Sequence, residues 1–511
     1  MTSALPSPPV RRYLRRDMDR PAPQISDDDV KSVQPIRAVL CALAALAMWF
    51  VPTGLDPKAH ATLVVLVAIG GLWLSEALPL GVTALLVPVL GVAFGIAGPA
   101  EAFSGFGDPI VFLFLGTFLL TDAASRHGLD RRLADAVLTS RWVKASPGRL
   151  LYAIAFLGCA ISAWVNNTAT TAMLLPLAMT ASRLGTPRFL TSVLLMTAYA
   201  PTLGGLATPV GTAPNLIGLA QIAKFTGSRP SFAEWMVLFA PLAVVATLGS
   251  AAWLAWRGGK VSIPPTPEGT REHRPWSRAE RTLLPLFVVV VLFWIAPGIL
   301  AATDLKDATW VVTWKERFPE ACVPMAGGLL LFLLPAGRAA GNVDAPAAAV
   351  AGSVAGARIS DASAFKRLDW GTILLFGGGI SLGTMMQSSG LARQLGQAIF
   401  DHMPIHGTFG VTLAAALMAI VVSEFTSNTA SAALVVPVVL ELAKAAGMDP
   451  LGPALAATVA CSFGFMLPVS TPPNALVYGT GKLTIRDMVS CGILLDVAGG
   501  FLVAGYVTLV V

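Results

Sequence analysis

A polar run, Ser423-Glu424-Phe425-Thr426-Ser427-Asn428-Thr429-Ala430-Ser431, interrupts an otherwise apolar region, and the chain contains it twice. Shifted by 261 positions, Ser162-Ala163-Trp164-Val165-Asn166-Asn167-Thr168-Ala169-Thr170 matches it at Ser, Asn, Thr and Ala, and a proline follows each copy at the same distance, Pro176 and Pro437. A second pair lies downstream. Pro209-Val210-Gly211-Thr212-Ala213-Pro214-Asn215 and Pro468-Val469-Ser470-Thr471-Pro472-Pro473-Asn474 share five of seven residues and end 48 and 46 positions beyond Asn167 and Asn428. These are two copies of one design. Prolines, glycines and small hydroxyl residues that interrupt hydrophobic segments at corresponding places in two halves point to a transport site made of broken helices.

Composition decides the solvent. With 55% hydrophobic and 13% charged residues among 511, and a mean hydropathy of +0.70, the chain falls well short of the roughly one quarter of charged residues usual in soluble domains. It reads as an all-α polytopic membrane protein. The formal charge is +6, but the basic residues cluster in loops between apolar runs, the pattern that orients a chain in a bilayer and not a nucleic-acid surface. Five cysteines stand singly in apolar surroundings without metal-ligand spacing, and the five histidines form no HExxH or similar cluster. No cofactor or metalloenzyme is therefore expected.

Residues 1–35 form a polar tail broken by proline, expected to be disordered, and its distance from the first apolar run argues against a removable signal peptide. The first half, 36–256, supplies apolar runs at 36–52, 60–77, 79–97 and 110–124, then an amphipathic segment at 129–144. Two short pieces at 149–163 and 169–182, a broken span at 190–225 and an intact one at 233–256 complete it. After a hydrophilic loop, 257–281, the second half, 282–511, gives runs at 282–301, 321–336 and 371–386. It closes with a second pair at 408–446, a broken span at 453–480 and a last span at 490–511. About 11 transmembrane helices result. The pairs at 149–182 and 408–446 read as re-entrant hairpins that return to their own side. With a cytoplasmic N-terminus this threading puts 27 of the 35 Lys and Arg inside, whereas two crossings at either hairpin would invert every later loop. The C-terminus is then outside, the chain sits in the inner (plasma) membrane, and its halves are inverted repeats.

At a hairpin tip the free carbonyls of one half-helix meet the free amides of the next near mid-membrane, where neither can stay bare. The amide end suits an anion, and the carbonyl end a small hard cation such as sodium. Asn167, Thr168, Asn428 and Thr429 can cap the helix starts and donate to carboxylate or sulfate oxygens. In the broken spans Gly211 and Ser470 permit close approach of backbone, while Pro209, Pro214, Pro468, Pro472 and Pro473 keep the helix open. No Arg or Lys lies in any of the four stretches. Bound cations would then supply the positive charge, which predicts cation-coupled transport of a substrate charged at both ends. A single Ser/Thr/Asn cluster usually joins helices; two motifs repeated at matched spacing favour a site. Glu424 fits either a functional acid at membrane depth or a packing anchor with a hydroxyl partner. Glu76 and Asp122 read as interfacial or structural, and Gly377-Gly378-Gly379, with no phosphate-loop lysine after it, as close helix packing.

These residues resemble the divalent anion/sodium symporter family of di- and tricarboxylate and sulfate transporters, over nearly the whole chain beyond the tail. The two Ser-Asn-Thr motifs of that family correspond to Asn166-Asn167-Thr168 and Ser427-Asn428-Thr429. Ser75-Glu76-Ala77-Leu78-Pro79-Leu80, Phe376-Gly377-Gly378-Gly379 and the stretch from Phe465 to Asn474 add to the likeness. The resemblance implies substrate contacts at Asn167, Thr168, Asn428 and Thr429, with Thr212, Thr471 and Pro472 nearby. It implies one sodium site at Ser162, Asn166, Asn167 and Gly211 and another at Ser423, Thr426, Asn428 and Ser470. It also implies a homodimer in which a transport domain moves like an elevator against a fixed scaffold. Sodium-coupled uptake of a dicarboxylate such as succinate, malate or fumarate is the expected function. Sodium-independent anion exchange and sulfate or citrate symport are the alternatives, while no catalytic group supports a membrane-embedded enzyme and no feature singles out a channel. Two positions depart from the family: Asn166 replaces a serine at the first cation site, and Ala213 replaces a proline beside Pro214.

Overall fold

The computed structural model describes residues 33–138, 147–182, 186–259, 275–301, 303, 307–336, 358–402 and 407–511. Most of the tail at 1–35, the end of the amphipathic segment and the middle of the 257–281 loop lie outside the described residues. The first half contains α1 (Pro35–Trp49), α2 (Pro57–Ser75), α3 (Leu80–Ala93), α4 (Pro109–Arg126), α5 (Leu129–Leu138), α6 (Pro147–Ser162), α7 (Asn167–Ser182), α8 (Pro187–Gly204), α9 (Ala213–Thr226) and α10 (Phe232–Gly258). The second contains α11 (Arg278–Ala301), α12 (Thr309–Arg317), α13 (Cys322–Leu330), α14 (Ser363–Arg367), α15 (Trp370–Ser388), α16 (Leu391–His402), α17 (Gly407–Phe425), α18 (Asn428–Ala445), α19 (Leu451–Ala460), α20 (Pro472–Gly479) and α21 (Ile485–Val510). Many starts carry proline in the first turn, as at Pro35, Pro57, Pro109 and Pro187, where its missing N–H costs nothing and its fixed φ suits the helix.

Eight helices among the described residues are long and apolar enough to cross a membrane: α2, α4, α8, α10, α11, α17, α18 and α21. The expected span at 321–336 is shorter than the sequence suggests. Its helix stops at Leu330 and a turn follows, because Pro335 can neither donate to the helix nor leave its predecessor free to be helical. The amphipathic segment is helical through Leu138, and Arg132 anchors it. The Arg132 guanidinium donates to both oxygens of the buried Glu280 at 3.0 and 3.1 Å and lies 4.5 Å over the Trp276 ring. Asp122, read as interfacial or structural, is held by Arg367, which grips both its oxygens at 2.9 and 2.8 Å.

The two halves make matching contacts. In the first, α6 packs on α8 and α10; in the second, α17 packs on α19 and α21. Between halves the packing is crosswise, with α7 against α20 and α18 against α9. The second helix of each pair thus rests on the helix that follows the break in the other half.

Close approach of α15 and α3 depends on the middle glycine of the triplet, while Gly377 and Gly379 face Phe106 and Ala433. A Cβ on Gly378 would stand 2.6 Å from the Ala84 carbonyl oxygen and 2.7 Å from its Cβ, both too near to yield. Gly378→Val should therefore cost about 1–3 kcal/mol and lower the unfolding temperature in detergent. Gly249→Ala, on a face with nothing within 4 Å, should leave it unchanged, and equal unfolding temperatures for the two variants would refute this account of the packing.

Candidate functional site

Four elements build each half of the site: the end of one helix, the start of its partner, a broken helix and the helix after it. In the first half α6 ends at Ser162 and α7 begins at Asn167. Ser162 is fully buried and its Oγ lies 2.7 Å from the Asn167 amide. With its nitrogen turned toward the carbonyls, that amide donates to Pro201 O at 3.1 Å and Gly211 O at 3.3 Å. The broken span leaves α8 at Gly204, makes a tight turn over Gly205–Ala207 and resumes as α9 at Ala213. Three carbonyls that the break would strand have donors. Asn215 Nδ2 serves Gly205 O at 3.0 Å and Thr208 O at 2.9 Å, and Trp235 Nε1, from α10, serves Leu206 O at 3.0 Å. The Thr208 hydroxyl ties the break to the helix pair through Ala163 O at 2.5 Å.

The second half repeats the plan. Ser423 Oγ lies 2.8 Å from Asn428 Oδ1 and 2.5 Å from Cys461 O. Asn474 Nδ2 donates to Gly464 O at 2.9 Å and Leu467 O at 3.0 Å. The Phe465 carbonyl, 259 positions after Leu206, takes its bond at 2.9 Å from the hydroxyl of Tyr199, which belongs to α8. Here the amides are held as well. Glu424 accepts from Met466 N at 2.8 Å, Leu467 N at 3.1 Å and Ser470 Oγ at 2.8 Å. Asp496 accepts from Phe465 N at 3.3 Å.

Several expected residues gather and others do not. Asn167, Gly211 and Thr212 converge on Gly205, where a Cβ would meet them at 2.9–3.1 Å. Ser423, Ser470 and Asn428 converge beside Gly464 in the same manner. Thr426 bonds back into its own helix at Val422 O, 2.9 Å away. Thr168 and Thr429 are half-buried and Pro472 is exposed; among the described residues no side-chain hydrogen bond joins Thr168 or Thr429 to the clusters. The caps lie one position earlier than the sequence suggests. Asn166 Oδ1 accepts from Ala169 N at 2.7 Å, and Ser427 Oγ from Ala430 N at 3.2 Å. The reason is that Ser162 and Ser423 turn the Asn167 and Asn428 amides inward, so the residue before each must satisfy the helix start. The other oxygen of Asn166 accepts from Thr170 N at 3.1 Å, so both are engaged in α7. Glu424 has the hydroxyl partner expected of a packing anchor, and that partner is Ser470. Asn215 and Asn474 lie inside the repeated motif, and their common offset was the signal for a shared role. Trp235 and Asp496 also correspond, 261 positions apart, but they are unlike residues that no motif comparison pairs.

The sequence matches the citrate transporter family over residues 71–460. This chain belongs to that family. It is a transporter and a multi-pass membrane protein, not an enzyme, in keeping with the resemblance of its motifs to the divalent anion/sodium symporters. An uncharacterized transporter of Haemophilus influenzae is 32% identical, over 86% of this chain and 89% of its own. The sodium-dependent dicarboxylate transporter SdcS of Staphylococcus saprophyticus is 30% identical, over 87% and 84%, and that of Staphylococcus aureus 29% identical, over 89% and 86%. In fold the chain is similar to the YdaH transporter of Alcanivorax borkumensis, whose crystal structure is described as having an unusual topology. That likeness has a TM-score of 0.52 over 88% of this chain and 98% of the other, at 13% identity.

The asparagine bridges make a sharp prediction. Asn474→Asp keeps the shape of the side chain but removes both donated hydrogen bonds, leaving two buried carbonyls bare at about 1–3 kcal/mol each. The unfolding temperature should fall for Asn474→Asp and Asn474→Ala alike, and likewise at Asn215. An aspartate variant as stable as the parent at neutral pH would rule the bridge out as a stabilising element.

Proposed function

We propose that the protein couples sodium entry to uptake of a dicarboxylate of the succinate, malate or fumarate class. The observation that carries this reading is the pair of Ser–Asn contacts, Ser162 with Asn167 and Ser423 with Asn428, each placed where two helices and a break meet. The two amides are fixed in complementary senses: Asn428, held through its oxygen, keeps its nitrogen to donate to a carboxylate, while Asn167, whose nitrogen serves Pro201 O and Gly211 O, keeps its oxygen for a cation. The starts of α7 and α18 add amides for the anion, and the carbonyl ends of α6 and α17 add oxygens for sodium. The four stretches contain no Arg or Lys to meet an anion. Positive charge must then arrive with the cargo. The names of the Staphylococcus relatives support the same substrate and ion.

In this reading Asn167, Thr168, Asn428 and Thr429 meet the substrate, with Thr212, Thr471 and Pro472 at its border. One sodium lies among Ser162, Asn166, Asn167 and Gly211, the other among Ser423, Thr426, Asn428 and Ser470. The pairs α6–α7 and α17–α18 are re-entrant hairpins from opposite sides of inverted repeats, with the N-terminus cytoplasmic and the C-terminus outside. The crosswise packing supports a single moving body that carries both clusters, sliding as an elevator against the scaffold of a homodimer. One observation favours a second reading: both oxygens of Asn166 already serve α7, which suits fewer cations at the first site or sodium-independent exchange.

Proteoliposomes decide between them. Labelled succinate should accumulate with an inward sodium gradient and not with choline. Asn167→Ala and Asn428→Ala should raise the half-saturating succinate concentration about 10–100-fold, the equivalent of one hydrogen bond to a charged group. Uptake that ignores sodium and depends only on internal anion would establish exchange instead, and indifference to succinate, citrate and sulfate would end both readings.

A further inference from the structure

Away from both clusters, a cavity of about 460 Å³ opens at one end of the bundle, lined by Arg188, Thr191, Ser192, Trp256, Arg257 and Asp487. It lies where α8 and α21 begin and α10 ends. Two helix starts therefore point their amide ends toward it, and both favour an anion. Arg188 stands exposed in the first turn of α8, and among the described residues neither an ion pair nor a hydrogen bond holds its guanidinium. Arg257 uses one nitrogen on Ser490 Oγ at 2.7 Å, which leaves the rest of its five-donor fork available. Ser192 is 1% exposed, borders the cavity, and its hydroxyl has no partner among the described residues. Among the described residues the lining contains one acid, Asp487. Its Oδ2 accepts from Thr484 N at 3.0 Å and Thr484 Oγ1 at 2.6 Å, so its charge is committed to the start of α21. Two guanidiniums and two helix starts, set against one engaged carboxylate and the carbonyl end of α10, leave the cavity positive.

We propose that this cavity binds a phosphate group, supplied by the headgroup of an anionic lipid. Arginine forks match phosphate oxygens in pairs, and basic pockets between membrane helices take anionic headgroups. Trp256 stands at the mouth, 74% exposed, as tryptophans do where a bilayer meets water. The charge pattern of the sequence puts Arg188 and Arg257 together on the cytoplasmic side, the leaflet whose surface anionic lipids make negative. The same phosphate chemistry could come from solution, and the experiment separates the two sources.

The test uses the full-length protein in neutral detergent, titrated in parallel with phosphatidylglycerol, phosphatidylcholine and inorganic phosphate, with the unfolding temperature as readout. Phosphatidylglycerol should raise that temperature saturably and phosphatidylcholine should not. Arg188→Gln should weaken the half-saturating amount about fivefold and the Arg188→Gln, Arg257→Gln pair about 25-fold, while Arg188→Lys recovers part of the loss. A rise with inorganic phosphate that the same variants abolish upholds the phosphate site and assigns it to a soluble ligand. No saturable rise with either, or one that both variants leave intact, overturns the proposal. Should the double variant fail to fold, Arg188→Gln decides alone, since it removes no internal bond. Transport plays no part in the readout, so the outcome is independent of the dicarboxylate reading.

Discussion

A peptide group inside hydrocarbon must find a partner, and this requirement shapes the centre of the molecule. Interrupting a helix frees carbonyls and amides that water would otherwise satisfy, at several kcal/mol for each one left bare. Both halves answer with the same device: an asparagine ten residues after the first stranded carbonyl folds back across the gap and serves two of them. Without that bridge those carbonyls would lie bare in the buried interior. The polar clusters around Gly205 and Gly464 exist because the breaks are stable.

The halves differ in how the rest of the break is held. In the first, uncharged donors from Thr208 and Trp235 tie the break to its neighbours. In the second, two acidic side chains, Glu424 and Asp496, grip three successive amides from Phe465 to Leu467. Residues at corresponding positions thus perform opposite hydrogen-bonding roles, the indole of Trp235 donating to a carbonyl where Asp496 accepts from an amide. The second break is clamped on both its amides and its carbonyls and holds two acidic side chains; the first is clamped chiefly on its carbonyls and by neutral donors. The two halves of the centre are therefore chemically unequal, one holding acids and the other only neutral donors.

Much of this was legible in the sequence because repetition is a strong signal. The helix pairs, the broken spans, the glycine contact of α15 and the structural part of Asp122 follow from apolar length, proline placement and spacing. The family followed from the repeated motifs. What escaped were tertiary facts. Whether Asn166 or Asn167 caps α7 depends on Ser162 turning one amide inward, a preference shared by too many residue types to read locally. The early stop of α13 required weighing Pro335 against a long apolar run. Tyr199, Trp235 and Asp496 sit in ordinary apolar surroundings, and only the three-dimensional register shows that each addresses a break.

One of these residues joins what the repeat would otherwise keep separate. Tyr199 precedes the first break, yet its phenol holds the Phe465 carbonyl in the second, and the two rings lie 4.7 Å apart between centroids. A displacement of α8 must either carry Phe465 along or sever that bond between two buried groups. The phenol is thus a strut between duplicated modules, fixing where the second gap lies relative to the helix that leads into the first.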